Sequence, residues 1–133
     1  MKIFLLTLLT FCAATSVHSQ NSTPLFGKVL YGEVMEFGGV EVTFEKVISD
    51  SRCPKNTNCI WAGEAKVLLA VSRDGKLLEK KEVVISASNV TNDELNILFN
   101  SKEFVIRCIG LSPYPATPDK IPESEYCLDI RIN

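Results

Sequence analysis

Cys53 and Cys59 lie six positions apart, with the chain's only tryptophan, Trp61, two residues further on. Thiols at such a spacing either close a disulfide or ligate a metal. Cys108 and Cys127 bring the set beyond the N-terminal stretch to four, which allows three pairings. Proximity favours Cys53–Cys59 and leaves Cys108–Cys127. A four-thiolate zinc site usually spaces its ligands C-x2-4-C, and both gaps here are longer. All four cysteines are therefore assigned to disulfides, and no metal ligand is assigned.

Paired carboxylates are the other chemistry on offer. Glu33 and Glu36, Glu41 and Glu45, and Glu123 and Glu125 are close in sequence. Acid–base hydrolysis needs two carboxyl groups desolvated in a cleft. Glu41 and Glu45 share strand parity, yet they sit in a polar, alternating stretch that reads as a solvated face. A carboxylate hydrolase through this pair is thus a third-ranked reading. Asp119, Glu123 and Glu125 could offer oxygen ligands to calcium, but without the ordered acids and glycine of a calcium loop.

Histidine bounds the function more sharply. The only one, His18, lies in an N-terminal stretch that reads as an export signal. Lys2 is its positive end, residues 3–14 its apolar run and Val17-His18-Ser19 its cleavage site, leaving Gln20 first. The apolar run is shorter than the ~20 residues of a membrane span. Lipidation of Cys12 is disfavoured because Phe11 precedes it where a small residue belongs. A mature chain without histidine builds no Ser-His or Cys-His nucleophile and no histidine-bearing zinc or copper site. No phosphate-cradling glycine motif is present. The expectation is a protein without catalytic activity or cofactor.

Removing residues 1–19 leaves 114, enough for one core. Lys2 goes with the signal, so 13 basic residues face 16 acidic ones and the net charge is −3. Such a mild, dispersed charge gives no footprint for nucleic acid.

The elements that must position these residues are strands. Residues 20–24 form a polar leader and residues 25–133 a single domain. Residues 26–37 read as extended, with a break near Gly32, and Gly38-Gly39 as a turn. Val40 to Lys46 alternates with period two. Residues 64–72 and 76–85 form a hairpin turning at Arg73-Asp74-Gly75. Residues 92–100 are ambiguous, since Asn92-Asp93-Glu94 suits a helix cap while Leu95, Ile97 and Phe99 alternate. Residues 102–111 are a strand, and residues 112–122 hold four prolines and read as a stiff loop. In residues 125–132, Tyr126, Leu128, Ile130 and Ile132 share one face and Cys127 falls on the other. Cys108 shares parity with Phe104 and Ile106, so a simple cross-strand bond to Cys127 conflicts with the pattern unless a bulge intervenes. The fold expectation is an antiparallel β-sandwich of seven to nine strands, immunoglobulin-like in layout, with a small barrel as the alternative.

Asn21-Ser22-Thr23 and Asn89-Val90-Thr91 match the glycosylation acceptor pattern. The run Asp50-Ser51-Arg52-Cys53-Pro54, four residues, Cys59-Ile60-Trp61-Ala62-Gly63-Glu64-Ala65 resembles a motif of uncharacterised small exported bacterial proteins, many from Bacteroidetes-type organisms. The resemblance covers about 16 residues closely. It implies a periplasmic or secreted location, makes glycosylation less expected and carries over no activity.

The pinned loop admits two main readings. In one it staples a crossover and Trp61 plugs the core. In the other it is a recognition loop whose ordering cost is already met. Its candidate binding residues are Arg52, Lys55, Asn56 and Trp61, joined by Tyr114 of the proline-rich loop. The leading expectation is a secreted or periplasmic binding module with a protein or glycan partner. The alternative is a protease inhibitor offering Arg52-Cys53-Pro54.

Overall fold

The computed structural model describes residues 23–87 and 96–133. The export signal, the leader as far as Ser22, the Asn89 acceptor site and the Asn92-Asp93-Glu94 cap lie outside the described residues.

Eight strands follow in chain order: β1 (Leu25–Leu30), β2 (Val34–Phe37), β3 (Val40–Asp50), β4 (Glu64–Arg73), β5 (Lys76–Ser86), β6 (Ile97–Asn100), β7 (Val105–Ser112) and β8 (Cys127–Ile132). One 3-10 turn, Glu123–Glu125, leads into β8. They form two antiparallel four-stranded sheets, ordered β1-β8-β7-β6 and β2-β3-β4-β5. This is the expected sandwich. It is not a closed barrel, because β1 and β2 are not hydrogen-bonded neighbours, and neither are β5 and β6. Apart from β1 beside β8, every neighbour is also next in sequence. The likeness to an immunoglobulin domain therefore lies in the two-sheet layout and not in crossed strand connections.

Alternation builds the core. Val40, Val42 and Phe44 of β3, Ala65, Val67, Leu69 and Val71 of β4, and Leu128, Ile130 and Ile132 of β8 point between the sheets. The polar residues between them face outward, as a period-two strand with one buried face requires. The β4–β5 turn has Asp74 at φ 50° and Gly75 at φ 76°, the left-handed pair that a two-residue hairpin demands. The outer part of β5 is exposed and charged, and only Val83 and Ile85 enter the core. As an edge strand it is protected from further pairing by those charges.

Two expectations fail in this frame. Cys53 and Cys59 are bonded, but Cys108 and Cys127 are free thiols. Cys127 lies opposite Ser112, four residues along β7 from Cys108. That offset is roughly 13 Å at strand rise, against a disulfide limit near 7 Å between Cα atoms. A bulge does interrupt the register between Cys108 and Gly110, yet it leaves Cys108 opposite Ile130, facing the core, with Cys127 on the outer face. Burial pushes the Cys108 thiol up to about 12, so it is held neutral and unreactive. The second failure concerns Trp61. It plugs no core and stands 67% exposed.

Candidate functional site

The loop of residues 51–63 grows out of the end of the β3–β4 ladder. Backbone bonds from Ser51 N–H to Glu64 C=O and from Cys53 N–H to Ala62 C=O, each 2.8 Å, continue the pairing beyond the strands. Gly63 then turns the chain at φ 74°, and its missing Cβ makes room for the Ser51 carbonyl. The disulfide closes the tip, and Thr57 N–H bonds the Pro54 carbonyl across it.

Arg52 locks this loop onto the rest of the molecule. Its side chain is fully buried, contrary to its expected presentation at the surface. Nε donates to Asp50 Oδ1 at 2.8 Å and Nη2 to Asp50 Oδ2 at 2.7 Å, a two-pronged pair. Nη1 donates to the Leu111 carbonyl at 2.7 Å and Nη2 also to the Pro113 carbonyl at 3.0 Å. One guanidinium thus ties the cysteine loop to the end of β7 and the start of the proline-rich loop. The Tyr126 hydroxyl donates to Asp50 Oδ2 at 2.9 Å and completes the network. Arginine is drawn inward because only a planar fork satisfies a carboxylate and two carbonyls together.

Tyr114 reinforces the same joint. Its hydroxyl donates to the Cys53 carbonyl at 2.8 Å, and its ring lies 5.1 Å from the Arg52 guanidinium carbon. Lys55 N–H bonds the Pro115 carbonyl, and the Lys55 ammonium is 5.9 Å from the Tyr114 ring. Arg52 and Tyr114 therefore serve as struts, and Tyr114 also lines a groove on the outer face of the β1-β8-β7-β6 sheet.

Burial pushes the Asp50 carboxyl up, but the hydrogen bonds and charge of Arg52, with the Tyr126 hydroxyl, outweigh it and hold the group below its ordinary 3.8. A depressed native value means that the unfolded chain binds the proton more readily. The stability from this network is thus complete above pH 3.8 and is lost as pH falls through the lower native value. Chemical denaturation at a series of pH values is expected to show this acid-side loss, and an Asp50→Asn variant should show a smaller one.

What the struts hold outward is apolar. Ile60 is fully exposed and Trp61 largely so, with Lys55 and Asn56 exposed on the same loop. Ile60 was missed in the sequence. Its signal was an isoleucine between Cys59 and Trp61 in a loop that is otherwise polar.

The carboxylates do not assemble. Glu45 is paired with Lys80 at 2.9 Å, Glu123 accepts from the Tyr31 hydroxyl at 2.8 Å, and Asp119 accepts from Thr117 at 3.1 Å. A bulge at Glu45 also breaks the simple parity with Glu41. Among the described residues no group of three acidic, cysteine or histidine side chains converges as metal ligands. Among the described residues no helix is long and apolar enough to cross a membrane. No family model, curated protein or solved structure matches this chain.

Proposed function

We propose that the protein is an exported binding module, acting in the periplasm or outside the cell, that recognises a protein or glycan through the tip of its disulfide loop. Ile60 and Trp61 are the contact, with Lys55 and Asn56 at the rim. The observation that carries this reading is the exposure of Trp61, at 67%, on a loop held by a disulfide and a buried arginine. Leaving two large apolar side chains in water has a free-energy cost, and a partner recovers it. Because the loop is already ordered, little conformational entropy remains to be lost on binding. Tryptophan is also the residue type most enriched where binding energy concentrates.

Export rests on the N-terminal signal pattern, the disulfide and the resemblance to small exported bacterial proteins. The inhibitor alternative is disfavoured because Arg52, its intended contact, would have to abandon four side-chain hydrogen bonds to enter an enzyme's cleft.

An Ile60→Ser/Trp61→Ala variant tests the proposal. Both side chains are exposed, so its stability is expected within about 0.5 kcal/mol of wild type. Capture from native envelope or medium with wild type and variant should then show a partner retained only by wild type. Equal recovery of the same partners by both proteins would reject the site. Trp61 also supplies a direct readout, being the single tryptophan. Its emission should be water-like in the free protein and shift to the blue on partner binding.

A further inference from the structure

On the outer face of the β1-β8-β7-β6 sheet, Arg107 of β7 and Arg131 of β8 lie directly opposite each other. Phe26 of β1 flanks Arg131 and Ile97 of β6 flanks Arg107, so the row across the sheet reads Phe26, Arg131, Arg107, Ile97. Like charges directly opposite in a sheet repel each other. A carboxylate beside a cation is the usual remedy, and several cations of this molecule have one. Arg52 is held by Asp50, Lys28 by Asp129 and Lys80 by Glu45.

Arg107 and Arg131 have none among the described residues. Their Nε atoms are buried and without a hydrogen-bond partner. Both residues are half-buried, and of each fork it is the Nε that is buried without a partner. Buried polar atoms in native proteins are seldom left without a partner, and where protein supplies none, water or a bound ion does. The contrast with Arg52, whose Nε and both Nη groups are all bonded, is within the same molecule.

We propose that the Arg107–Arg131 pair is an anion site that takes a divalent oxyanion, a phosphate or sulfate group. Two adjacent guanidiniums carry two positive charges, which a dianion neutralises and a single carboxylate does not. Planar forks match the oxygens of such a group two at a time. The same chemistry exists in the free ion and as a substituent on a sugar, and the neighbouring surface suits the second. One row along the same face, two residues on, lies Lys28, Asp129, Gly110. That row floors a groove of 560 Å³ bordered by Phe26, Ile109 and Tyr114. Gly110 packs against Asp129, whose carboxylate a Cβ there would approach to 3.3 Å. Phe26, 69% exposed, belongs to both the groove and the arginine row. This site is separate from the disulfide loop and does not rest on the function proposed above.

Calorimetric titration with inorganic phosphate and with a sulfated disaccharide, at constant ionic strength, tests it. Saturable binding of at least one probe is expected, weakened about tenfold or more in an Arg107→Gln/Arg131→Gln variant, in line with the loss of charge-assisted bonds. Tighter binding of the disaccharide assigns the groove as its continuation, and equal binding assigns the free anion. Binding of neither probe, or equal binding by the variant, overturns the proposal. Should the double variant fail to fold, Arg107→Lys and Arg131→Lys keep the charge and stem but lose the fork. Unchanged affinity in both of these overturns it as well.

Discussion

Arg52→Met is expected to lower the unfolding free energy by about 3 to 5 kcal/mol, the usual cost of removing one partner from a buried ion pair. Methionine fills a similar length, so the loss comes from what is left behind. The Asp50 carboxylate, whose side chain is 8% exposed, keeps only the Tyr126 hydroxyl and the Arg52 backbone N–H. The carbonyls of Leu111 and Pro113 also lose their charged donor. Urea denaturation of wild type and variant measures the difference directly. Adding Asp50→Asn to Arg52→Met should recover part of the loss, because the uncompensated charge is then gone. A change below about 1 kcal/mol in the single variant would place Arg52 among ordinary surface salt bridges and remove it as the strut of the loop.

Gly63→Ala comes next in expected effect. A Cβ at this position would sit 1.8 Å from the Ser51 carbonyl oxygen and 2.6 Å from its carbon, both backbone atoms that no side-chain rotation can move. The residue is also at φ 74°, where any side chain is strained. Left-handed strain and overpacking together cost on the order of 4 kcal/mol. Gly75, at φ 76° with open space around it, is the internal control. There only the strain applies, so Gly75→Ala should cost clearly less. Melting temperatures of the two variants compare them. Equal losses would mean that the Ser51–Gly63 approach is not a constraint on the fold. The effect should extend beyond stability, since Gly63 forms the base of the loop that carries Trp61.

Much of the architecture was legible because it depends on local rules. A half-buried strand repeats every two residues, so β3 and β8 announced their inner faces through Val40, Val42 and Phe44, and Leu128, Ile130 and Ile132. Asp74-Gly75 announced the β4–β5 turn because few other dipeptides accept two left-handed angles. The Cys53–Cys59 bond needed only a short loop. The parity conflict between Cys108 and Cys127 was also visible along the chain, but a bulge was expected to resolve it, and the pairing of β7 with β8 overturned the expected bond.

The candidate sites were decided elsewhere. In a polar loop, sequence does not say which neighbour turns inward, and here the intuitive answer was inverted. Arg52 went in and Trp61 stayed out because two carbonyls 59 and 61 positions away, with Asp50, formed a receptor for a guanidinium. No local pattern contains that information. The Arg107–Arg131 row is likewise a product of register. The single-residue bulge between Cys108 and Gly110 lets Leu111 face Leu128 in the core while Cys108 still faces Ile130. Each strand alone specified its alternation, but only the pairing of β7 with β8 brought two arginines side by side and left them to be neutralised by something outside the described fold.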